Sequence, residues 1–507
     1  MKTIIEKMDE NQIDEQILEK AGEILRQGGL VAFPTETVYG LGANALDEKA
    51  AQKTYEAKGR PSDNPLIVHI ADVEALEGIV KHVPGKAYKI IEKFWPGPLT
   101  LIFEKNDNVP YGTTGGLQTV AVRMPINEIA RGLIRAGGGY ISAPSANTSG
   151  RPSPTSAGHV ADDLDGKIDM ILDGGSVDIG VESSILDMTV DPPMILRPGA
   201  ITKEMLEGVV GEVVVDRALL DDNASEAPKA PGMKYRHYAP KAQLIIVEGE
   251  TQEAIKAIRQ IAYEQTRLGY QVGIIATNET IDSYSTGIIK NIGTRNNENS
   301  IAKNLYRVLR EFDEEEVSYI YSEAFEKDGI GDAIMNRLEK AAGHHTIQAS
   351  DITRLQKYRR VLFISNSDNC RGPMAAEILR HEDLIQEYKI GSRGLVVLFP
   401  EPANQKAEAI MRSQHMTLES HEATAFAEED LDDDTLVLTF EESQKWKIVA
   451  DYGNVKNVYT LSEFVDDDRQ VSSAHGQPLV AYGENFELLK ELIGKLAQRL
   501  NKEAKNI

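Results

Sequence analysis

The stretch Pro34-Thr35-Glu36-Thr37-Val38-Tyr39-Gly40 follows a short apolar strand candidate and is the first of several polar motifs. The others are, in order, Lys58-Gly59-Arg60-Pro61-Ser62-Asp63-Asn64-Pro65-Leu66, Ser142-Ala143-Pro144-Ser145-Ala146-Asn147 and Pro231-Gly232-Met233-Lys234-Tyr235-Arg236-His237-Tyr238. Each motif alone would fit an ordinary turn. Together they spread basic, hydroxyl and small residues through the first half of the chain, as a large pocket for a polyanionic small molecule requires.

Length and composition describe a multidomain globular protein. The 507 residues are too many for one core and predict about three domains. The 41% hydrophobic and 26% charged residues are ordinary for a soluble protein, and the longest apolar runs are only strand-sized. The beginning lacks the apolar segment of a signal peptide, and a single cysteine cannot form an internal disulfide. We therefore expect a cytoplasmic protein with no membrane partner.

The charge pattern is acidic. A net charge of −24 argues against sequence-independent binding to nucleic acid, which needs a basic surface. Part of the acidity lies in the run Glu-Glu-Asp-Leu-Asp-Asp-Asp at residues 428–434. We interpret this run as a solvated loop in preference to a metal site.

Changes in pattern divide the chain into three domains of α/β and α+β class. Residues 1–215 mix strands and helices irregularly, which predicts a mixed sheet. Residues 216–241 are predicted to form a linker whose composition becomes aromatic and basic near its end. Residues 242–345 alternate strand and helix, as a small α/β sandwich does, and a third pattern occupies residues 357–507.

Periodicity and breakers also place individual elements. The predicted strands cover residues 28–33, 66–70, 99–103, 139–141, 243–247, 272–276 and 361–364. The predicted helices cover residues 50–57, 253–266, 301–312 and 373–380.

No common phosphate fingerprint occurs, neither a P-loop nor a complete Gly-x-Gly-x-x-Gly. Nucleotide recognition would therefore depend on side chains. Lys58 and Arg60 could bind phosphate oxygens, or they could form a solvated basic loop stiffened by neighbouring prolines. The run 142–150 could donate hydrogen bonds to a ligand or form a turn, and His69 could be a structural histidine in a buried strand.

In their order and in the residues they contain, the four motifs resemble those of the Sua5/YrdC family of threonylcarbamoyl-AMP synthases, and the resemblance covers residues 10–345. The resemblance extends to Gly329-Ile330-Gly331-Asp332-Ala333-Ile334-Met335-Asn336-Arg337-Leu338. It implies a YrdC-like mixed α/β domain over 1–215 and a small Rossmann-like Sua5 C-terminal domain over 242–345. It also implies conversion of L-threonine, bicarbonate and ATP into L-threonylcarbamoyladenylate and pyrophosphate. A downstream t6A transferase machinery that acts on tRNA would use the product.

The resemblance also implies roles for individual residues. The L-threonine set is Thr37, His69, Arg123, Ala143 and Ser183. The ATP set is Arg60, Asn64, Thr119, Ser145, Ser153, Arg197 and Tyr235, with Tyr238 as an alternative to Tyr235. Lys58 and Arg60 are assigned to catalysis; Mg²⁺ is expected to accompany ATP, with no residue assigned to a metal.

Two further expectations follow from this family. The reaction joins two anions, so positioning and charge neutralisation are most of the task, and no protein nucleophile is needed. Residues 231–240 resemble the segment that covers the nucleotide pocket in two-domain members, so we expect them to form a lid that excludes water.

A second resemblance covers residues 358–505. The run from Val361 to Ala375 is similar to the active-site strand and loop of low-molecular-weight protein tyrosine phosphatases, which implies a flavodoxin-like fold. Arg371 matches the motif arginine, but Ser365 stands at the position of the nucleophilic cysteine. Cys370 falls at the second, non-nucleophilic position, and Gln477-Pro478 replaces the family's acidic Asp-Pro. We therefore expect an inactive phosphatase-like domain.

Two alternatives remain open from the sequence. One is a non-catalytic module that binds tRNA or another RNA, which the net charge of −24 opposes. The other is a bifunctional synthase and protein phosphatase, which Ser365 and Gln477 oppose.

Overall fold

The computed structural model describes residues 2–216, 238–354, 358–453 and 455–505. The chain divides into two compact units, Met1–Ala349 and Ser350–Ile507. Most of the predicted linker, residues 217–237, lies outside the described residues. Among the described residues, no helix is both long and apolar enough to cross a membrane.

The amino-terminal part of the first unit alternates strands and helices irregularly. Its strands are β1 (Ile4–Lys7), β2 (Val31–Phe33), β3 (Gly40–Asn44), β4 (Ile67–His69), β5 (Leu99–Glu104), β6 (Thr119–Arg123), β7 (Ile141–Ser142), β8 (Met170–Asp173), β9 (Ser184–Asp187), β10 (Met194–Arg197) and β11 (Val214–Val215). Its helices are α1 (Glu15–Arg26), α2 (Glu48–Lys58), α3 (Gly85–Phe94), α4 (Tyr111–Thr114), α5 (Glu128–Ala136), α6 (Ala157–Leu164) and α7 (Lys203–Val210).

These strands form one sheet in the order β1-β8-β2-β3-β7-β4-β6-β5-β9-β10-β11. Parallel pairs such as β4 with β6 alternate with antiparallel pairs such as β5 with β6. The mixed sheet predicted for this domain is therefore confirmed. The strands between the two edge strands are largely buried, and their apolar side chains form the core, whereas the residues of the edge strands β1 and β11 are exposed or partly exposed.

Helix α2 shows how the local sequence positions the site. Asp47 caps its first turn by accepting a hydrogen bond from the Lys49 amide. The helix ends because Gly59 adopts a left-handed conformation, with φ of 62°. Lys58 and Arg60 thus lie on the two sides of a sharp turn and leave the helix in different directions.

The second part of the first unit is a parallel α/β layer. Its strands are β12 (Gln243–Glu248), β13 (Val272–Ala276), β14 (Ile288–Asn291), β15 (Tyr319–Glu323) and β16 (Thr346–Gln348), in the order β14-β13-β15-β12-β16. Its helices are α8 (Thr251–Arg267), α9 (Glu298–Glu314) and α10 (Gly331–Ala342). Val38 and Val181 of the first part pack into the core of this layer, so the two parts are joined by apolar contact.

Helix α11 (Ala349–Arg354) spans the division between the units. The second unit contains β17 (Arg360–Ser365), β18 (Lys389–Gly394), β19 (Thr435–Thr439) and β20 (Val458–Thr460), parallel in the order β18-β17-β19-β20. Its helices are α12 (Arg371–Arg380), α13 (Gln405–Ser413), α14 (Glu442–Tyr452), α15 (Leu461–Phe464) and α16 (Leu479–Lys505). Helices on both faces of a parallel sheet give a doubly wound fold.

The acidic run 428–434 departs from the predicted solvated loop at one residue. Asp430 is buried and pairs with Arg360 at 2.6 Å and Arg393 at 3.2 Å. The prediction was wrong there because two arginines distant in the sequence supply counter-charges that a local pattern does not reveal.

Candidate active site

A cavity of about 700 Å³, open to solvent, lies among the polar motifs of the first unit. Three of its residues are the last of their strands: His69 of β4, Arg123 of β6 and Arg197 of β10. His69 and Arg123 are direct partners in the parallel pair β4–β6. The lining residues are Thr35, Val38, Gly40, Lys58, Arg60, Ile67, His69, Arg123, Ala143, Pro144, Ser145, Asn147, Ser149, Gly150, Arg151, Glu182, Ser183, Arg197 and Tyr238.

Most of the predicted L-threonine set lies together on this wall. His69, Arg123, Ala143 and Ser183 line the cavity. Thr37 is fully buried and does not line it; its hydroxyl lies 2.9 Å from that of Thr35, which does.

Arg123 is held by a buried carboxylate that the sequence reasoning did not assign. Its guanidinium donates to Glu36 Oε1 at 2.7 Å, and both side chains are about 5% exposed. Its Nε is buried and has no hydrogen-bond partner among the described residues. Glu36 therefore orients the guanidinium while leaving part of it unused.

His69 is neutral in this site. Burial, with the neighbouring charge of Arg123, lowers its pKa to about 3. Its Nδ1 lies 3.1 Å from the carbonyl oxygen of Ile67, so a neutral ring carries its proton on Nδ1.

The predicted ATP set is divided. Arg60, Ser145 and Arg197 line the cavity, together with Lys58. The remaining described members, Asn64, Thr119 and Ser153, are not among the lining residues. Tyr235 and residues 231–237 of the predicted lid lie outside the described residues. Tyr238, the alternative to Tyr235, is buried and lines the cavity.

Lys58 is tied to the neighbouring loop. Its Nζ donates to the backbone oxygens of Ser145 and Asn147 and lies 3.4 Å from Asn147 Oδ1. Burial, reinforced by the charge of Arg60, lowers its pKa well below the usual range. The observed contacts hold the loop 142–147 against the end of α2.

The two arginines of the ATP set concentrate positive charge. Burial lowers the pKa of Arg60 to about 10 and also lowers that of Arg197. Arg60 is anchored by the carbonyl oxygens of Asn64 and Pro65 at 3.3 and 3.2 Å, and Arg197 by that of Ser183 at 3.0 Å. Such a site suits a polyanion, whose charge would offset the repulsion between the cations.

The second unit contains the loop that resembles a phosphatase motif. Ser365, at the end of β17, is buried, and its Oγ accepts a hydrogen bond from the Asp368 amide at 3.1 Å. Arg371 donates to Glu441 Oε1 and to the Val471 carbonyl, each at 2.6 Å. Glu441 is thus the counter-charge of the motif arginine.

Burial raises the pKa values of two other residues of this loop. Asp368 is fully buried with φ of 53°, and burial raises the pKa of its carboxyl group. Burial also raises the pKa of Cys370 to about 11, so its thiol is protonated at neutral pH.

Comparison with known proteins accounts for both units. A Sua5/YciO/YrdC family model, described as telomere recombination, matches residues 23–199. A model of the threonylcarbamoyl-AMP synthase C-terminal domain matches residues 201–343, and one of low molecular weight phosphotyrosine protein phosphatase matches residues 360–506. The chain is 50% identical to the threonylcarbamoyl-AMP synthase of Bacillus subtilis over 341 residues, 67% of this chain and 97% of that protein.

The chain belongs to the threonylcarbamoyl-AMP synthase family.

A second relative with that name, from Pyrococcus abyssi, is 49% identical over 66% of this chain and 97% of its own length. The crystal structure of P. abyssi Sua5 complexed with L-threonine superimposes with a TM-score of 0.65. That pair is 48% identical and covers 68% of this chain and 99% of the P. abyssi chain. The synthase-like region is therefore matched across nearly the whole length of these relatives.

Sequence reasoning missed two acids of the synthase site, Glu36 and Glu182. Glu182 lines the cavity beside Ser183, and Glu36, which lies inside the first motif, contacts the lining residue Arg123. A buried acid beside several basic motif residues is the signal that could have identified them. Among the described residues, no group of three or more His, Cys, Asp or Glu side chains could hold a metal ion.

Proposed function

We propose that this chain is an L-threonylcarbamoyladenylate synthase, a nucleotidyltransferase that makes threonylcarbamoyl-AMP and pyrophosphate from L-threonine, bicarbonate and ATP. The observation that carries the proposal is the cavity that joins Arg123 and His69 to Arg60 and Arg197. It lies in a chain that is about half identical to relatives named threonylcarbamoyl-AMP synthase over nearly their whole length.

L-threonine would bind at the end of the cavity formed by β4 and β6. Arg123, oriented by Glu36, would bind the carboxylate. His69 and Ser183 line this end of the cavity, and Ser183 Oγ already accepts a hydrogen bond from Arg197 at 3.2 Å and lies 2.8 Å from Thr100 Oγ1. Ala143 provides a small side chain that lets the ligand approach the loop backbone.

ATP would bind at the other end of the cavity. Arg60 and Arg197 would bind phosphate oxygens beside Ser145, whose hydroxyl donates to Asn147 Oδ1 at 2.5 Å. Tyr238, which also lines the cavity, would contact the nucleotide. Lys58 would fix the loop 142–147 and add its charge to the phosphate end of the site.

The reaction needs positioning more than covalent help from the protein. The threonine amine combines with bicarbonate, with loss of water, to give a carbamate. A carbamate oxygen then attacks the α-phosphorus of ATP, and the bond to the bridging oxygen breaks to release pyrophosphate. Arg123 would hold the threonine-derived anion, and Arg60 with Arg197 would hold the phosphates of ATP. This arrangement would bring the reacting atoms together and neutralise the developing charge.

Glu182, the acid among the described lining residues, already accepts hydrogen bonds, so Mg²⁺ would enter the cavity bound to the phosphates of ATP. Bound there, Mg²⁺ would stabilise the negative charge of the departing pyrophosphate. No residue of the chain is assigned to it.

The product would pass to a transferase machinery that installs the t6A modification on tRNA. A module that binds RNA without chemistry is not favoured, because the cations converge on one concave cavity instead of spreading over an exposed basic surface. Phosphatase activity of the second unit is not favoured either, because Ser365 replaces the nucleophile and Arg371 is bound by Glu441.

The test is a reaction containing the purified chain, ATP, Mg²⁺, bicarbonate and L-threonine. We expect pyrophosphate release that depends on both threonine and bicarbonate, with threonylcarbamoyl-AMP detected by mass spectrometry. L-serine, which lacks only the methyl group, is the matched substrate control. Pyrophosphate release that does not depend on threonine would contradict the proposal.

A further inference from the structure

A buried carboxylate in the cavity wall is held from the second part of the first unit. Glu182 precedes Ser183 and lines the cavity. Its Oε2 accepts hydrogen bonds from the Tyr306 hydroxyl at 2.9 Å and from Arg337 Nε at 3.1 Å. Tyr306 lies on α9 and Arg337 on α10, and both side chains are fully buried.

The same carboxylate holds a predicted ATP residue. The Ser153 hydroxyl donates to Glu182 Oε1 at 2.6 Å, and the Tyr306 hydroxyl is 3.1 Å from that oxygen. Glu182 is therefore fixed by Tyr306 and Arg337 on one side and fixes Ser153 on the other.

Charge keeps this cluster in one ionisation state. Burial opposes ionisation of Glu182, but Arg337, Arg197 and the Ser153 hydrogen bond outweigh it and lower the pKa to about 2. Burial, with the charge of Glu182, raises the pKa of Tyr306 well above its usual range, so its hydroxyl stays a donor. The carboxylate is thus ionised and bonded at neutral pH.

Tyr306 and Arg337 also make contacts that do not involve Glu182, with a residue that lines the cavity or with the neighbour of one. Arg337 donates to the carbonyl oxygen of Pro198 at 2.7 Å, directly after Arg197. The Tyr306 ring packs against that of Tyr238, with centroids 5.2 Å apart. The nucleotide end of the site is consequently supported at Ser153, Arg197 and Tyr238 from α9 and α10.

We infer that Tyr306 and Arg337 are positioning residues for ATP, which act through Glu182 on Ser153 behind the cavity wall and on Arg197 within it. The second part of the first unit is then a component of the nucleotide site. This inference rests on the proposed synthase function. The competing explanation is that the cluster only stabilises the joint between the two parts.

The chain offers a matched control for that explanation. Glu323 is also a buried carboxylate held by a tyrosine and an arginine, Tyr284 at 2.7 Å and Arg295 at 2.6 Å. None of these three residues lines the cavity. Tyr284→Phe and Tyr306→Phe therefore each remove one buried hydrogen bond from a phenol to a carboxylate, and only the second does so beside the site.

The experiment compares the two variants in the full chain. We expect Tyr306→Phe to raise the KM for ATP about tenfold, the effect of losing a hydrogen bond to a charged group, and to leave the KM for threonine within about twofold. Tyr284→Phe should lower the melting temperature similarly and leave both KM values unchanged. Equal KM values for ATP in Tyr306→Phe and wild type would overturn the inference.

A second pair of variants separates positioning from stability. Arg337→Met leaves the Glu182 charge buried and unpaired, whereas Glu182→Gln with Arg337→Met removes both charges and should recover much of the lost stability. We expect the KM for ATP to stay raised in the double variant, because Ser153 has lost its carboxylate acceptor. A return to the wild-type KM together with the recovered melting temperature would show a purely structural role.

The experiments distinguish a failure of the proposed synthase function from a failure of the positioning role. If the wild-type chain released no threonine-dependent pyrophosphate, the synthase proposal would fail. Calorimetric titration with a non-hydrolysable ATP analogue would then still compare nucleotide affinity in wild type, Tyr306→Phe and Tyr284→Phe. Equal affinities in the three proteins would overturn the positioning role.

Discussion

At the scale of single residues, Glu36 orients Arg123 before a substrate arrives. The pair is almost completely buried and 2.7 Å apart, so the guanidinium does not have to be ordered on binding. Ordering a long side chain is one of the entropic costs of association, and it is avoided here. A threonine carboxylate would thus meet an arginine that is already in place.

The first prediction tests this role of Arg123. Arg123→Ala should weaken threonine binding at least about tenfold, because a charge-assisted contact of this kind contributes roughly 1.5–3 kcal/mol. Affinity for an ATP analogue should change by less than about twofold. Calorimetric titration with each ligand measures both effects.

Arg123→Ala would leave the buried charge of Glu36 unpaired, so its control must also remove that charge. An unpaired buried carboxylate destabilises a protein by about 3–5 kcal/mol, which could lower binding indirectly. Glu36→Gln with Arg123→Ala should recover stability and still bind threonine weakly. Loss of ATP binding with threonine affinity intact would contradict the assignment.

The second prediction concerns acid stability and His69. The pKa of His69 is about 3 when folded, against an ordinary value of 6.5. Between these values the unfolded chain binds a proton that the folded chain does not. This histidine therefore contributes stability that is present above about pH 6.5 and is lost as the pH falls toward 3, by about 1.4 kcal/mol per pH unit.

The variant His69→Gln cannot take up this proton. Denaturant unfolding of the first unit should therefore depend less steeply on pH between about 4 and 6 than in the wild type. His82 is exposed, so His82→Gln is the matched control and should leave the slope unchanged. An unaltered slope in His69→Gln would show that this histidine does not contribute to acid unfolding.

At the scale of elements, the end of α2 determines where the cations point. Gly59 has φ of 62°, and a Cβ atom built there meets no atom within 4 Å. A substitution would therefore act through backbone strain, which is about 1–2 kcal/mol for a residue other than glycine in this conformation. The strained backbone would lie at residue 59, between Lys58 and Arg60.

The third prediction follows from this geometry. Gly59→Ala should destabilise the first unit by about 1 kcal/mol and raise the KM for ATP by about threefold or more, because Arg60 would shift. Gly343, which follows α10, has the same left-handed backbone, with φ of 60° and ψ of 38°, and does not line the cavity. Gly343→Ala should give a similar loss of stability with unchanged KM, and equal kinetics in the two variants would contradict the prediction.

The loop 365–371 of the second unit is an element that keeps the outline of a phosphatase site without its chemistry. A serine hydroxyl is a weak nucleophile unless a base activates it, and the buried thiol of Cys370 is protonated. The guanidinium of Arg371 is already bound to Glu441 and Val471. A phosphate would have to displace these contacts.

The fourth prediction is that the full chain does not hydrolyse an aryl phosphate or a phosphoarginine substrate. Ser365→Cys alone should add little, because general acid catalysis, worth about 10²–10⁴-fold, would still be missing. Ser365→Cys with Gln477→Asp and Asp368→Asn is the combination expected to give turnover. Hydrolysis by the wild-type chain that disappears in Ser365→Ala would contradict the prediction.

The sequence predicted the elements better than the contacts between them. Strand 243–247 and helix 373–380 are apparent from local periodicity, and they are observed as β12 and most of α12. The pairing of Glu36 with Arg123 joins residues 87 positions apart, so no local pattern contains it. Asp430 was misjudged for the same reason.

Most, but not all, of the described residues that the family motifs predicted for the site line the cavity. His69 and Arg123 end the adjacent strands β4 and β6, and Arg197 ends β10, which runs in the same direction and is separated from β6 by two strands, so the three side chains lie at the same end of the sheet. Thr37 and Ser153 are fully buried behind the wall, where they bond to Thr35 and Glu182. Which hydroxyl faces a cavity depends on side-chain packing, which a motif does not encode.

At the scale of the whole molecule, every described residue that lines the cavity belongs to the first unit. The described cavity residues lie between Thr35 and Tyr238, and the cluster that supports them ends at Arg337. Relatives that carry the synthase name match 341 and 337 residues of this chain. The second unit has a hydrophobic core of its own, built from α12, α16 and the central strands.

The fifth prediction is that a chain ending at Arg354 keeps synthase activity. This end point retains α11 and removes the second unit from residue 358 onward. Because separate cores make domains independently stable, kcat and both KM values should stay within about twofold of the full chain. The measurement is threonine-dependent pyrophosphate release, with circular dichroism to confirm that both proteins are folded. A folded truncated chain whose kcat fell about tenfold or more would show that the phosphatase-like unit takes part in the synthase reaction.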